Sequence, residues 1–369
     1  MDKHLNVAFV GCGDISQRYL AVYRELPWVR VTVCVDTDLQ KARQAADLVG
    51  GETPLATTDF QAALAAEVDA VVINTPNAAH RPQAEAALRA GKHVLLQKPL
   101  AANLSDGAAI VRAARESCRT HGLYMSYFDH PLWHDLRDIV AAGRLGHVVH
   151  FYAKLMHRGG MHWSDAALKG QPTWRGSLAA TGGGCFIQLA VHYIHLIEWI
   201  SGVKIVRATG FLRNLHCPGL EGEDLAVALF ELQSGAMATI DTAWNSAGEL
   251  FAVHGTAGTF SYHENRRVVL SSSTGPFSGR VLHYKEGSAA GSGGSSSEQQ
   301  ETEILPPAMG DVSNPLNQHR LFLEAARDGR PAFVSVASGL HDMRVVMAVY
   351  ESARTGRAVE VDTIAEGQA

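Results

Sequence analysis

The sequence has 369 residues, of which 46% are hydrophobic and 19% are charged, and its formal net charge is −5. A chain of this length and composition can form two globular domains, each with its own core. Its basic residues do not occur in blocks, which argues against a nucleic-acid partner, and no apolar run approaches the length that spans a membrane. Five cysteines without C-x-x-C spacing indicate neither a disulfide framework nor a thiolate metal site. With no signal peptide before the first predicted strand, we expect a cytoplasmic protein.

The beginning of the chain predicts a strand, a glycine turn and a helix in immediate succession. Residues 6–10 form an apolar run, residues 11–16 read Gly-Cys-Gly-Asp-Ile-Ser, and a helix is predicted over 17–26. In a dinucleotide-binding turn the first glycine permits the tight turn, and the second lets a pyrophosphate approach the helix N-terminus. The third glycine of that fingerprint is replaced by Ser16, which is small enough for close packing. An ordinary glycine turn is the alternative; the cofactor-binding residues predicted here are Gly11, Cys12, Gly13, Asp14 and Ile15.

The second predicted strand, over 29–35, ends in Asp36. This acid lies about twenty residues after Gly13, where a carboxylate is expected to bind the adenosine ribose hydroxyls. A carboxylate repels the 2′-phosphate of NADP, so the sequence favours NAD. Asp36 could instead cap the helix predicted over 39–49, or serve both purposes.

Strands and helices continue to alternate up to about residue 126, which predicts a doubly wound parallel sheet with helices on both faces. Strands are predicted over 69–74, 92–96 and 123–127, with helices over 80–90 and 105–121. Ligands of such sheets bind at the carboxyl ends of the strands. We therefore predict a Rossmann domain over residues 1–126, with further cofactor contacts from the residues that follow two of its strands: Thr75, Pro76, Asn77, His80, Gln97 and Lys98.

The pattern changes in the second part of the chain, where strand-like stretches are joined by short glycine turns. Such a succession predicts a mostly antiparallel open sheet. We expect an α/β domain over residues 127–369, with a long helix over 184–201 and a mobile Gly/Ser-rich loop over 287–298. The predicted strands are 148–155, 204–211, 225–232, 237–244, 251–254, 259–262 and 267–270.

Two sites carry groups suited to proton transfer. Lys98 follows a buried strand, where burial and a nearby nicotinamide would lower its pKa; a surface lysine is the alternative. On the long helix, Gln188 and His192 are four positions apart and share a face. We predict that His192 is a catalytic acid or base rather than a core histidine. His195 fits a hydrogen-bonded core histidine better, although it is also a candidate for substrate contact.

A metal site is a further possibility. His192, His195 and Glu198 could be read as ligands, but the chain has no H-E-x-x-H pattern. His157 and His162 flank Arg-Gly-Gly in a predicted loop, where they could meet substrate hydroxyls, a metal or solvent. We predict no metal.

With these residues in hand, the chain resembles the glucose-fructose oxidoreductase, inositol dehydrogenase and MocA-like family over nearly its whole length. The resemblance rests on the ordered set Gly11-Cys12-Gly13, Asp36, Thr75-Pro76-Asn77 with His80, Lys98-Pro99, Trp174-Arg175 before Gly182-Gly183-Gly184, and the helix from Gln188 to Ile194. It implies NAD(P)-dependent oxidation or reduction at a secondary carbinol or ketone, mostly in sugars and cyclitols. It also implies a C-terminal open sheet that forms the interface of a homodimer or homotetramer. Substrate contacts are then expected from Tyr127, His157, Trp174, Arg175, Gln188 and His195.

Three departures from the family pattern stand out. Gln97 replaces the usual Glu before Lys-Pro, Gln188 replaces the usual Asp four before the His, and His195 stands where Asp is common. A glutamine can hydrogen-bond a substrate hydroxyl but cannot take a proton. Proton transfer is therefore expected from Lys98 and His192, on an altered substrate such as an amino sugar, a glycoside or an activated sugar. The alternatives are a redox-neutral epimerase or glycoside-cleaving enzyme that retains NAD, and a non-catalytic NAD-binding sensor or scaffold.

Overall fold

Two β-sheets organise the computed structural model, which describes residues 4–263, 268–272, 285–286, 300–305 and 317–365. The Gly/Ser-rich loop predicted over 287–298 lies outside the described residues. Among the described residues, no helix is both long enough and apolar enough to cross a bilayer.

The first sheet is parallel, and the residues that the structure describes form six strands in it. They are β1 (Leu5–Val10), β2 (Val29–Val35), β3 (Leu55–Thr57), β4 (Ala70–Ile73), β5 (His93–Gln97) and β6 (His121–Tyr124). Their spatial order is β3-β2-β1-β4-β5-β6, so the order reverses between β1 and β4, where ligands of such sheets bind. Val7, Ala8 and Phe9 of β1 are completely buried, as expected for a strand covered on both faces.

Four helices pack against this sheet: α1 (Asp14–Arg24), α2 (Leu39–Val49), α3 (Asn77–Arg89) and α4 (Leu104–Glu116). Both α1 and α3 begin three residues earlier than their apolar periodicity predicts. The first turn of α1 is polar and carries Asp14, whose charge favours the positive end of the helix dipole. The predicted cofactor residues of both turns therefore lie at or within helix N-termini.

The second sheet is mostly antiparallel, as predicted. Its strands are β7 (Val148–Met156), β8 (Ile205–Arg213), β9 (Leu225–Leu232), β10 (Met237–Ala243), β11 (Gly248–Gly255), β12 (Gly258–His263), β13 (Val268–Ser272), β14 (Lys285–Glu286), β15 (Gln300–Leu305) and β16 (Val359–Glu360). The spatial order is β14-β15-β13-β12-β11-β7-β10-β9-β8-β16, and β7 and β10 form a parallel pair. Along β9 buried and outward residues alternate, so one face of the sheet is covered and the other is not.

The helices of the second part are α5 (Pro131–Ala141), α6 (Gly159–Leu168), α7 (Leu178–Thr181), α8 (Val191–Ser201), α9 (Gln318–Asp328) and α10 (Val336–Thr355). Helix α6 occupies residues for which a loop was predicted. Helix α8 packs against α5, α10 and β7, so it is buried on most sides, and most of its residues are apolar. The long predicted helix is divided, because a π-helical turn, Phe186–Ala190, precedes α8.

The last two helices connect the two sheets. Helix α10 packs on both β8 and α4, whereas α9 packs on α1 and β6. The Leu123 amide donates to the Val334 carbonyl over 3.0 Å, and the Tyr23 hydroxyl lies 2.8 Å from Nδ1 of His319. The C-terminal segment thus returns to the first sheet and helps to hold the two halves together.

Candidate active site

The glycine turn after β1 has the geometry that a dinucleotide requires. Gly11 has a φ of +86°, and a Cβ there would lie 2.8 Å from the main chain of Asn74 at the end of β4. A Cβ on Gly13 would have no neighbour within 4 Å, so open space adjoins the N-terminus of α1. The first glycine allows the close approach of two strand ends, and the second leaves room for a phosphate beside helix amides.

Ser16 performs the packing role expected of the missing third glycine. Its side chain is completely buried, and its hydroxyl is hydrogen-bonded to the Gly11 carbonyl. The Asn74 amide donates to the same hydroxyl over 2.7 Å. The turn is therefore tied to the end of β4 by side chains as well as by close packing.

Asp36 points back to the glycine turn. Its Oδ2 accepts a hydrogen bond from the Cys12 amide at 2.7 Å, and its Oδ1 accepts one from the Asp38 amide at 2.9 Å. The residue that caps α2 is Asp38, which accepts from the Gln40 amide, so the capping alternative for Asp36 is wrong. The carboxylate is only half-buried and stands between β2 and the turn, where the fingerprint places the ribose-binding acid.

The turn after β4 serves mainly to join neighbouring segments. Thr75 and Pro76 are half-buried, and the Thr75 hydroxyl donates to Oε1 of Gln83 at 2.6 Å. Asn77 is buried at the start of α3, and its side-chain amide donates to the Thr181 carbonyl at the end of α7 over 2.7 Å. These contacts place the turn directly beside the second part of the chain.

His80 was predicted to contact the cofactor, but its ring lies buried among main-chain carbonyl groups. Its ring is completely buried, with Nε2 2.9 Å from the Thr75 carbonyl oxygen and Nδ1 3.1 Å from the Pro99 carbonyl oxygen. Burial lowers the pKa of His80 to about 4, so the ring is neutral and donates to one of these oxygens at a time. Because α3 begins at Asn77, the ring turns inward and braces the turns after β4 and β5.

Lys98 bridges the two halves of the chain. Its Nζ donates to the main-chain oxygen of Gln188 over 2.8 Å, and its own amide donates to Oε1 of Gln97 over 3.0 Å. Burial, with a smaller contribution from the positive charge of Arg175, lowers the pKa of Lys98 to about 8. An amine with such a pKa exchanges protons readily near neutrality.

Gln188 accepts this bond through its main chain, and His192 follows it four positions later. Each is 8% exposed, and the part of the chain that the structure describes offers no hydrogen-bond partner to Nε2 of Gln188 or to Nδ1 of His192. Burial, then the charge of Lys98 and that of His195, hold the pKa of His192 well below its ordinary value. His192 is therefore a neutral imidazole close to the Lys98 amine.

His195 belongs to the core and not to the same cluster. Its Nδ1 lies 2.7 Å from Oδ2 of Asp342 on α10. Burial opposes the charged ring, but the neighbouring Asp342 outweighs burial and raises the pKa of His195. The expected contact between His195 and a substrate is thus not supported by this geometry, since the ring faces α10.

Glu198 also has partners of its own, Lys204 at 2.5 Å and His341 at 2.7 Å. His192, His195 and Glu198 consequently do not converge on one point. In the described ranges, no group of three His, Cys, Asp or Glu side chains is placed to hold a metal ion.

Tyr127 lies against His192, with ring centroids 5.1 Å apart. Its hydroxyl donates to Oε1 of Glu249 at 3.0 Å, and the Tyr193 hydroxyl reaches the same oxygen at 3.2 Å. Tyr193 and Glu249 were not predicted from the sequence, because Glu249 meets Tyr127 across 122 positions of the chain. Burial raises the pKa of Glu249, and the two phenols partly oppose this shift.

Arg175, Trp174 and His157 form the other side of the cluster. The Arg175 guanidinium carbon lies 4.5 Å from the ring centroid of Trp174 and 5.1 Å from that of Trp163. Burial lowers the pKa of Arg175 while the charge of Asp14 raises it, so Arg175 lies near the glycine turn.

His157 accepts a hydrogen bond from the Gly159 amide at Nδ1, over 3.0 Å. A neutral ring that accepts at Nδ1 carries its hydrogen on Nε2. Burial, followed by the charges of Lys98 and Arg175, lowers the pKa of His157. The cluster therefore combines an amine, a guanidinium and neutral imidazoles beside the dinucleotide turn.

Two family models and several curated proteins are similar to this chain. A family model described as an oxidoreductase family with an NAD-binding Rossmann fold matches residues 5–124, and one described as the GFO/IDH/MocA C-terminal domain matches residues 133–261. The chain is 29% identical over 300 residues to 1,5-anhydro-D-fructose reductase of Ensifer adhaerens, which spans 80% of this chain and 81% of that protein. It is 25% identical to D-apiose dehydrogenase of Paraburkholderia graminis, over 98% of this chain and 91% of that one.

A solved structure of levoglucosan dehydrogenase in complex with NADH superposes with a TM-score of 0.84 at 19% identity, covering 98% of this chain and 100% of that chain. At this identity the likeness establishes the fold. Together with the two family models, it confirms the predicted fold class, the NAD-binding Rossmann domain and the family resemblance. The chain belongs to the GFO/IDH/MocA family of NAD-binding oxidoreductases.

Proposed function

We propose that this oxidoreductase transfers a hydride between NAD and a secondary alcohol or ketone of a sugar-like molecule, with Lys98 and His192 as its acid–base groups. The observation that carries the proposal is the bond between Nζ of Lys98 and the main-chain oxygen of Gln188, 2.8 Å long. This bond sets the amine one helical turn from His192, and both groups have lowered pKa values. Titratable groups whose pKa values are shifted by burial and by a neighbouring charge are typical of catalytic sites.

The residues of the first sheet fit the cofactor. Gly11 to Ile15 would hold the pyrophosphate, and Asp36 would bind the adenosine ribose. Thr75 to Asn77 and Gln97 would contact the nicotinamide half of the dinucleotide. Arg175 lies near Asp14 and would meet the phosphates from the second part of the chain. NAD supplies the hydride chemistry when bound, and the chain supplies orientation and proton exchange.

Lys98 would hold or release the proton of the reacting oxygen. Above a pH of about 8 its Nζ is a neutral amine that takes the proton of a substrate hydroxyl. Below that pH its ammonium donates a proton to a carbonyl oxygen. His192 is neutral and would hydrogen-bond the same oxygen, which fixes the reacting carbon between two side chains from separate elements.

A sugar-like substrate is supported by the names of the relatives, a reductase of 1,5-anhydro-D-fructose and a dehydrogenase of D-apiose. Residues 127–369 would carry the substrate-binding part, with Tyr127, His157, Trp174 and Arg175 beside Lys98. Since Gln97 and Gln188 are amides, we propose a substrate other than a plain sugar, such as an amino sugar, a glycoside or an activated sugar.

The test is turnover of a panel of sugars, cyclitols, amino sugars and glycosides by the whole protein with NAD, followed by the absorbance of NADH. The proposal expects one or more substrates to yield NADH in proportion to product, and Lys98→Met and His192→Ala to slow that reaction at least tenfold. Product without stoichiometric NADH would favour a redox-neutral enzyme. Bound NAD with no turnover across the panel would favour a sensor or scaffold.

We further propose that the uncovered face of the second sheet joins two copies of the chain. Among the side chains whose burial the structure describes, four large apolar ones are exposed on this outer face, and Phe211 is 72% exposed. Phe211 is paired with Val227, and Leu229 lies on the same face two residues further along β9; the fourth is Met237 on β10. Such a patch is typical of protein interfaces. Light scattering should therefore give a dimer or tetramer mass, and Leu229→Glu should shift it towards the monomer.

A further inference from the structure

Two buried nitrogens on successive turns of one helical segment have no hydrogen-bond partner among the residues that the structure describes. Nε2 of Gln188 and Nδ1 of His192 are both inaccessible, and neither has a hydrogen-bond partner among the described residues. Gln188 and His192 are four positions apart. Side chains with this spacing on an α-helix have Cβ atoms about 5–6 Å apart, and the π-helical turn that contains Gln188 continues directly into α8. A glutamine side chain can span a gap of this size.

The chemistry of the two nitrogens is complementary. A neutral imidazole carries one hydrogen, so one ring nitrogen donates and the other accepts. The Gln188 amide nitrogen can only donate, and the lone pair of Nδ1 is the acceptor on the adjoining turn. A carboxylate at position 188 could only accept, and it would therefore require the hydrogen on Nδ1.

We propose that Gln188 is a positioning residue that donates to Nδ1 of His192 and so fixes the hydrogen of the imidazole on Nε2. This inference rests on the proposed function for the statement that His192 meets the substrate oxygen. With the hydrogen on Nε2, His192 can donate to that oxygen but cannot remove its proton. This narrows the proposed function: His192 acts as a hydrogen-bond donor to the substrate oxygen, and proton exchange belongs to Lys98 alone.

The reaction balances on this assignment. In oxidation, the hydroxyl proton passes to the neutral Nζ of Lys98, the C–H bond breaks, and its hydride reduces NAD to NADH. The hydrogen of Nε2 remains on His192 and stabilises the negative charge that develops on the oxygen. In reduction the same bonds form in reverse, and the ammonium of Lys98 supplies the proton.

The other groups around His192 form hydrogen bonds with other partners, so we assign the donor to Nδ1 of His192 to Gln188. Lys98 approaches from the turn after β5, Tyr127 packs on the ring, and His195 lies one turn ahead. The hydrogen bonds of His195 and Tyr127 are made to Asp342 and Glu249 respectively. Burial and the charge of Lys98 lower the pKa of His157, and its Nδ1 already accepts a hydrogen bond from the Gly159 amide.

The direct test is the tautomer of His192, read from long-range ¹H–¹⁵N correlation spectra of ¹⁵N-histidine-labelled protein with NAD bound. His192→Gln identifies the signal by its loss. We expect a protonated Nε2 and an unprotonated, hydrogen-bonded Nδ1 in the native chain, and the opposite pattern in Gln188→Glu. Gln233→Glu is the matched control, because Gln233 is exposed in the turn between β9 and β10 and should leave the His192 pattern unchanged.

Kinetics give a second, independent measurement. The native pH profile should contain one ionisation, that of Lys98, whereas Gln188→Glu should add a second, because a carboxylate raises the affinity of His192 for a proton. Gln188→Leu removes the donor without adding charge; it should give both tautomers and roughly a tenfold lower kcat, in line with one hydrogen bond lost.

Two results would overturn the proposal: a hydrogen on Nδ1 in the native chain, or an unchanged tautomer in both Gln188 variants. The spectra do not depend on turnover. If the tautomer is as expected while no substrate in the panel reacts, the proposed function fails and the assignment of Gln188 stands. If turnover is found with the hydrogen on Nδ1, the proposed function stands and this inference fails.

Discussion

Nζ of Lys98 donates to the main-chain oxygen of Gln188 over 2.8 Å, which ties the turn after β5 to the π-helical turn before α8. A π-helical turn interrupts the regular ladder of helical hydrogen bonds, and such turns are frequent at functional sites. The interruption gives the Gln188 carbonyl an external donor. The same bond orients the Lys98 amine and sets its distance from His192, so the candidate site is built from two elements that are far apart in sequence.

Removing the amine should abolish most of the activity. Lys98→Met keeps the length and apolar stem of the side chain but cannot exchange a proton, and general acid–base groups typically contribute 10²–10⁴-fold to a rate. We expect kcat to fall by about that factor with NAD affinity within a few-fold. The exposed Lys41 supplies the control, since Lys41→Met should leave both quantities unchanged. A Lys98→Met enzyme that kept more than a tenth of the native rate would contradict the assignment.

The direction of the reaction should set the sign of the pH dependence. The pKa of Lys98 is lowered to about 8 by burial and by Arg175. Oxidation needs the neutral amine, so its kcat should rise as the pH passes from 7 to 9; reduction needs the ammonium, so its kcat should fall over the same interval. Initial rates in both directions check this, and two parallel profiles would exclude Lys98 as the titrating group.

Asp36 should decide the affinity for NAD. Its carboxylate accepts from the Cys12 amide, and it is placed to bind the ribose hydroxyls. Asp36→Asn should weaken NAD binding about tenfold and should narrow the preference for NAD over NADP, because the repulsion of the 2′-phosphate is removed. Calorimetric titration with both nucleotides measures the effect, and the exposed Asp47→Asn should change neither affinity.

The local parts of the site could be predicted from the sequence, because they depend on neighbouring residues. The glycine turn, Asp36 and the position of Lys98 at a strand end follow from periodicity and from the chemistry of one short segment. The spacing of Gln188 and His192 likewise puts both on one face of a helix. None of these inferences needs a contact between distant segments.

The remaining features depend on long-range packing. The pairing of His195 with Asp342 and of Tyr127 with Glu249 joins residues more than a hundred positions apart, and no local pattern indicates it. His80 turns inward because α3 begins earlier than its apolar residues predict. The glycines at 159–160 favoured a loop, yet a Cβ on Gly160 would lie 2.3 Å from the Trp244 side chain, so tertiary packing requires glycine inside α6.

His319 should make the fold sensitive to acid. Its ring is completely buried between α9 and α1, with Nδ1 2.8 Å from the Tyr23 hydroxyl, and burial lowers its pKa to about 3. The unfolded chain binds a proton at about pH 6.5, so between the two pKa values the unfolded state holds more protons and stability rises with pH. This histidine alone should reduce the free energy of unfolding by about 2 kcal/mol between pH 7 and pH 5.

Urea unfolding at the two pH values measures that difference. His319→Gln should lower stability at both, because ring contacts with Tyr19 and Tyr124 are lost, but its stability should fall less between pH 7 and pH 5 than that of the native chain. The exposed His216→Gln should retain the native difference, since it removes a histidine side chain that is not part of the buried contacts of His319. An identical loss in all three proteins would show that His319 is not the group that makes the fold sensitive to acid.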